Sequence, residues 1–287
     1  MRRASRGARI GEYMTVTNAV ETTMIWGTVS GASMVGMVIS LLLSVVLPIF
    51  LGIFIYKKTK AWVPAFFIGC GIFVGFAMIL EQICHAIVLT VTGSAIRDNI
   101  WLYAIYGGLA AALFEECGRW IAMKFCLKKH LTRENALMYG AGHGGIEAFL
   151  ILGMSSMSNL LTAAMINGGL MEKTMTALEP AQQEVTYHQL SVLWTTPAYQ
   201  FYLAPVERIS AIALQIALSI LVYSAVKTGR KLQLAAAFGL HFAVDFLTVI
   251  CASMIPTWAL ELGLLVVVAV ICAAVYKLVY VHSAEKK

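Results

Sequence analysis

Seven apolar runs, each long enough to cross a lipid bilayer and separated by connectors, constrain this chain more than any other feature of its sequence. They cover Ala32 to Tyr56, Trp62 to Val88, Ile100 to Leu127, Asn135 to about Met157, Val206 to Val226, Leu232 to Ser253 and Thr257 to Tyr280. A helical span needs about 20 mostly apolar residues to cross a hydrocarbon core of roughly 30 Å. Lipid offers no partner to exposed backbone groups, and the runs lack the short alternating segments of a membrane barrel, so each is expected to be a helix. The fold class that follows is all-α, a polytopic membrane helix bundle of about seven transmembrane helices. With 60% hydrophobic and 13% charged residues in a chain of 287, nothing is left over for a separate soluble domain.

The net charge of +6 is concentrated at the ends of the runs. Lys57, Lys58 and Lys60 follow the first run, Lys128, Lys129 and Arg133 the third, Lys227, Arg230 and Lys231 the fifth, and Lys286 and Lys287 the last. The alternate connectors carry only Arg97, then Lys173 and Arg208 in a long loop, then no basic residue between Cys251 and Thr257. Basic connectors stay in the cytoplasm, which predicts an amino terminus outside and a cytoplasmic carboxyl terminus. This pattern makes membrane lipid the partner of the basic residues and argues against nucleic acid.

Arg2, Arg3, Arg6 and Arg9 oppose that orientation, and a translation start at Met14 would remove the conflict. The leader lacks the apolar core and small-residue cleavage site of a secretory signal. The organisation expected is an extracytoplasmic leader over 1–31, one transmembrane domain over 32–281, and a cytoplasmic tail over 282–287. Near 160–205 an outer loop, anchored by aromatic residues, is expected to lie across the membrane surface. The six cysteines sit within or beside apolar runs without metal-ribbon spacing, and read as small buried packing residues.

Ionisable residues at bilayer depth are costly and usually face the bundle interior, so each is a functional candidate. The candidates are Glu81 and His85 in the second run, Glu115, Glu116 and Arg119 in the third, His143 and Glu147 in the fourth, and His241 and Asp245 in the sixth. At about 1.5 Å rise per residue, the groups of the third, fourth and sixth runs lie roughly 12 to 20 Å from the cytoplasmic ends. Three helices therefore bring polar groups to one level. Glu81 and His85 fall nearer the outer surface, where an i, i+4 ion pair at a wet helix end accounts for them. His143 with Glu147 and His241 with Asp245 share a face within each helix, and Arg119 can neutralise one of the adjacent glutamates. Gly140, Gly142, Gly144 and Gly145 surround His143 and would let a neighbouring backbone approach closely.

Glu115-Glu116-Cys-Gly-Arg119, Tyr139-x-x-x-His143 and His241-x-x-x-Asp245 occur in this order along the chain. In this the chain resembles the CPBP superfamily of membrane proteases, which includes the type II CAAX prenyl endopeptidases and bacteriocin-processing relatives, and it is most similar to the YhfC-like branch. Two departures are visible. The arginine stands one residue earlier than in the CAAX enzymes, which leaves open which glutamate is catalytic, and tyrosine replaces the usual phenylalanine. The resemblance implies an intramembrane endopeptidase in which Glu115 or Glu116, helped by His143, activates a buried water for peptide-bond hydrolysis without a cofactor. It also implies that His241 and Asp245 steady the oxyanion, with Glu147 orienting His143. The implied substrate is a membrane-associated or transmembrane peptide.

The same residues allow other chemistry. His143, Glu147, His241 and Asp245 are a ligand set suited to zinc with Glu116 as base, although no His-Glu-x-x-His motif is present. A proton-coupled transporter or channel would use the buried acids and histidines as a relay, but duplicated halves are not visible. A purely structural ion cluster and a haem held between His143 and His241 complete the alternatives.

Overall fold

The computed structural model describes residues 24–281 and is helical, with no strand among those residues. Its helices are α1 (Gly31–Thr59), α2 (Pro64–Val91), α3 (Ile100–Cys126), α4 (Arg133–Asn167), α5 (Leu170–Met175), α6 (Pro180–Thr195), α7 (Ala198–Thr228), α8 (Lys231–Ala252) and α9 (Thr257–Tyr280). All but α5 and α6 are long and apolar enough to cross a membrane, so the chain is a multi-pass membrane bundle with seven spans among the described residues. The arginine-rich leader before residue 24, the proposed start at Met14 and the tail after 281 lie outside the described residues.

Polar side chains set several helix starts by satisfying backbone N–H groups that have no partner inside the helix. Asn99 accepts from the backbone of Trp101 and Leu102, and Thr132 from Asn135. Gly229 ends α7 with φ 73°, a left-handed conformation that glycine adopts without steric cost.

The basic connectors are tied together at one end of the bundle. The Trp62 backbone N–H donates to Asn135 Oδ1 at 2.7 Å, and Asn135 Nδ2 donates to the His130 carbonyl at 2.7 Å. Trp62 stacks on His130 with ring centroids 4.1 Å apart. Arg133 covers the Tyr280 ring and donates to its carbonyl.

The region expected to be an outer loop is mostly helical. α4 runs on to Asn167, α5 and α6 follow, and α7 begins at Ala198, ahead of Pro205. The segment has an apolar face of its own. Ala163, Ile166 and Leu193 pack with Val29 and Met37 into a second small core, flanked by Trp26 and Trp194. Asn167 closes it by accepting from the Val29 N–H at 2.8 Å and donating to the Val29 carbonyl at 3.0 Å.

Two features of the main core position the candidate site. α7 is the central helix, with 72% of its most apolar window buried against 17 to 33% for the other spans, and it packs against α1, α4, α8 and α9. α2 and α4 approach until their backbones touch. A Cβ on Gly142 would lie 1.9 Å from the Phe66 carbonyl oxygen, and one on Gly69 2.2 Å from that of Tyr139. These two glycines permit a crossing that seats the middle of α4, with His143, in the interior.

Candidate active site

α3 contributes Glu115, Glu116 and Arg119, α4 contributes His143 and Glu147, and α8 contributes His241 and Asp245, so the three expected helices do converge. From the basic end, His143 and His241 lie about 15 Å deep, Glu115 about 17 Å, and Glu147 and Asp245 about 21 Å. Glu115, Glu116, Arg119, His143 and His241 are buried, whereas the Asp245 side chain is 35% exposed and forms the open edge.

Glu115 is the junction of the cluster. Its Oε2 lies 2.9 Å from His143 Nε2, accepts from Gln215 Nε2 at 2.9 Å, and stands 4.0 Å from both His241 Nε2 and Arg119 Nη2. Glu116 is fully engaged elsewhere. Its Oε1 lies 2.8 Å from His241 Nδ1, and its Oε2 accepts from Arg119 Nε at 3.0 Å. An uncompensated carboxylate here would be very costly, and the buried Arg119 supplies the compensating charge. The guanidinium also donates to the Gln215 carbonyl at 2.9 Å, to Ser219 Oγ at 2.6 Å, and to Gln215 Oε1.

Gln215 is a link that sequence reasoning missed. Arg119 occupies its amide oxygen, which turns the NH2 toward Glu115 and toward Glu147 Oε2 at 2.8 Å. Glu147 therefore pairs with Gln215 and with Arg208, whose Nη1 lies 3.2 Å from Glu147 Oε1, while the atom beside His143 Nδ1 is the Tyr139 hydroxyl at 3.5 Å. The expected Glu147 to His143 orientation is replaced by this arrangement. Arg208, read as a loop residue, is inside α7 and also pairs with Glu207. A sequence signal was present: Arg208, Gln215 and Ser219 recur at helical spacing along one face of a mostly apolar run.

Glu81 and His85 form the expected i, i+4 pair at 3.2 Å, and His85 Nδ1 lies 2.7 Å from the Tyr106 hydroxyl. The wet helix end, however, needs correction for Glu81. Glu81 is the last residue of a π-helical stretch, Val74–Glu81, and is buried, within electrostatic reach of Glu115, His241 and Asp245.

One oxygen each from Glu115 and Glu147 and one nitrogen of His143 lie within 4.8 Å of one another. Two carboxylates and one imidazole, converging with Glu115 and His143 buried and Glu147 half-buried, fit a divalent ion that keeps an open position, as in catalytic zinc sites. The set overlaps the expected zinc ligands in His143 and Glu147 and brings in Glu115. His241 Nε2 and Asp245 Oδ2, 3.5 Å apart, stand beside it.

The sequence matches the family described as YhfC intramembrane metalloprotease over residues 43–272. It is 41% identical over 222 residues to the uncharacterized membrane protein YhfC of Bacillus subtilis (strain 168), an alignment covering 74% of this chain and 83% of that relative. No solved structure matches the chain. The family match runs from α1 into α9 and takes in every residue of the buried cluster, so this chain belongs to the YhfC family of multi-pass membrane proteins, whose description is intramembrane metalloprotease.

Proposed function

We propose that the chain is a metal-dependent intramembrane peptidase, with Glu115, His143 and Glu147 as ligands of one zinc ion. The observation that carries this reading is the convergence of the three donor atoms within 4.8 Å, in a family described as metalloproteases. A zinc ion held there would supply a Lewis acid and lower the pKa of a coordinated water.

The chain's own residues supply the proton chemistry. Arg119 keeps Glu116 an acceptor, so Glu116 holds a proton on His241 Nδ1 and leaves His241 Nε2 facing the cluster. In that tautomer Nε2 accepts a proton from the attacking water and later returns it to the leaving amine. Glu116 is then a positioning residue, and Glu115 is the glutamate that meets the reaction. Asp245 receives Nε2–H once His241 is charged, and marks the exposed edge at which a membrane-embedded peptide reaches the site. Charge distribution supports the basic connectors on the cytoplasmic side, which puts the cluster near the bilayer midplane.

A metal-free reading rests on one observation, the direct 2.9 Å contact between His143 and Glu115, in which that pair alone would activate water. The two readings separate on one measurement. Purified full-length protein is expected to contain about one zinc per chain, lost in H143A and E147Q, and membranes from cells carrying E115Q should lack peptide termini found with the wild type. Metal-free wild-type protein that still produces those termini would sink the metal reading, and identical termini in both cells would sink proteolysis.

A further inference from the structure

Among the described residues, one buried side-chain nitrogen or oxygen lacks a hydrogen-bond partner, Oε2 of Glu261. Glu261 is buried in the first turns of α9, a helix that packs against α7, and lies about 28 Å from the basic end of its helix. A carboxyl group there needs a partner whether ionised or protonated, because lipid and apolar side chains supply none. The charged groups within its electrostatic reach are Glu207 and Arg208. Glu207 is an acid already paired with Arg208, so the cation able to serve Glu261 is Arg208.

Arg208 has the capacity. Of its five N–H groups, two donate to Glu207 and one to Glu147, which leaves two for another acceptor. It contacts two carboxylates, Glu147 and Glu207, and has Glu261 and Asp245 within electrostatic reach. One positive charge among them cannot neutralise them all.

We propose that Arg208 exchanges partners, bonding Glu147 while the metal site is empty and Glu261 once a divalent ion takes Glu147. Arg208 is thus a positioning residue that competes with the ion for one ligand, and Glu261 is its alternative acceptor. The inference rests on the ligand set proposed above. An ion at Glu147 repels the guanidinium and withdraws its acceptor, and the unpartnered Glu261 oxygen receives it. Metal affinity is thereby coupled to the contact between α7 and α9.

The test is zinc affinity, measured on the full chain in detergent by competition with a chromophoric chelator. E261Q removes the anionic acceptor and should weaken binding about tenfold, the scale of one charge-assisted hydrogen bond. R208M removes the competitor and should tighten binding, and E261Q should have no effect in the R208M background. If R208M does not fold, a zinc-loaded crystal structure of the wild type decides, and Arg208 must then bond Glu261. Zinc binding that needs Glu147 but is the same in E261Q, or Arg208 still on Glu147 beside the ion, overturns the exchange alone. Zinc binding indifferent to E147Q overturns the exchange together with the ligand assignment beneath it.

Discussion

Gln215 spans Glu115 and Glu147, its amide nitrogen 2.9 Å from the first carboxylate and 2.8 Å from the second. It holds together two acids that would otherwise repel each other, and Arg119 on its oxygen fixes which way it faces. Gln215→Leu frees both carboxylates and removes an acceptor from Arg119. By analogy with groups that orient metal ligands, zinc affinity should fall about 10- to 100-fold. Chelator competition on the purified variant checks this.

Glu115 and Glu116 are adjacent in sequence and have different partners, His143 and Gln215 for the first, His241 and Arg119 for the second. Glu115→Gln should abolish zinc binding while the bundle folds, because Gln retains an acceptor for Gln215. Glu116→Gln breaks a buried pair with Arg119 and a bond to His241, and should cost stability, about 3 kcal/mol or more. Zinc content and thermal unfolding in detergent should therefore move in opposite ways for the two variants.

Gly142→Ala places a methyl group 1.9 Å from the Phe66 carbonyl oxygen, and a backbone atom cannot step aside as a side chain would. The α2–α4 crossing must open, at about 3 kcal/mol or more. Gly71→Ala, with nothing within 4 Å, should leave the melting temperature unchanged or raise it. The pair of melting curves checks the close crossing without reference to activity.

Orientation can be read with a fluorescent fusion. A green fluorescent protein joined after Lys287 is expected to fold and fluoresce if the charge distribution of the connectors sets the orientation, because basic connectors stay in the cytoplasm. An active periplasmic reporter and a dark fluorescent fusion at that point would reverse the assignment.

The seven spans were legible because hydrocarbon imposes a length and a composition on every crossing segment. His143, His241 and the α3 glutamates were legible because ionisable groups are rare at that depth. The contribution of α7 was not. Gln215 and Ser219 carry no charge and drop out of a search for ionisable residues, and Pro205 suggested a boundary that the helix ignores. Spacing put Glu147 and His143 on one face, and the family resemblance implied that Glu147 orients His143. Neighbours at i and i+4 share a face, but a side chain on another helix can satisfy one of them first, as Gln215 does.

The burial of α7 bears on how the protein is made. A segment carrying Glu207, Arg208 and Gln215 is a poor passenger in open lipid, and it becomes tolerable only when surrounding helices meet its polar face. α1 to α4 precede it in synthesis, and α8 and α9, which also pack against it, follow. Biogenesis should thus stall at the fifth crossing whenever Arg119 is lost, since the socket would lack the side chain that greets the newcomer.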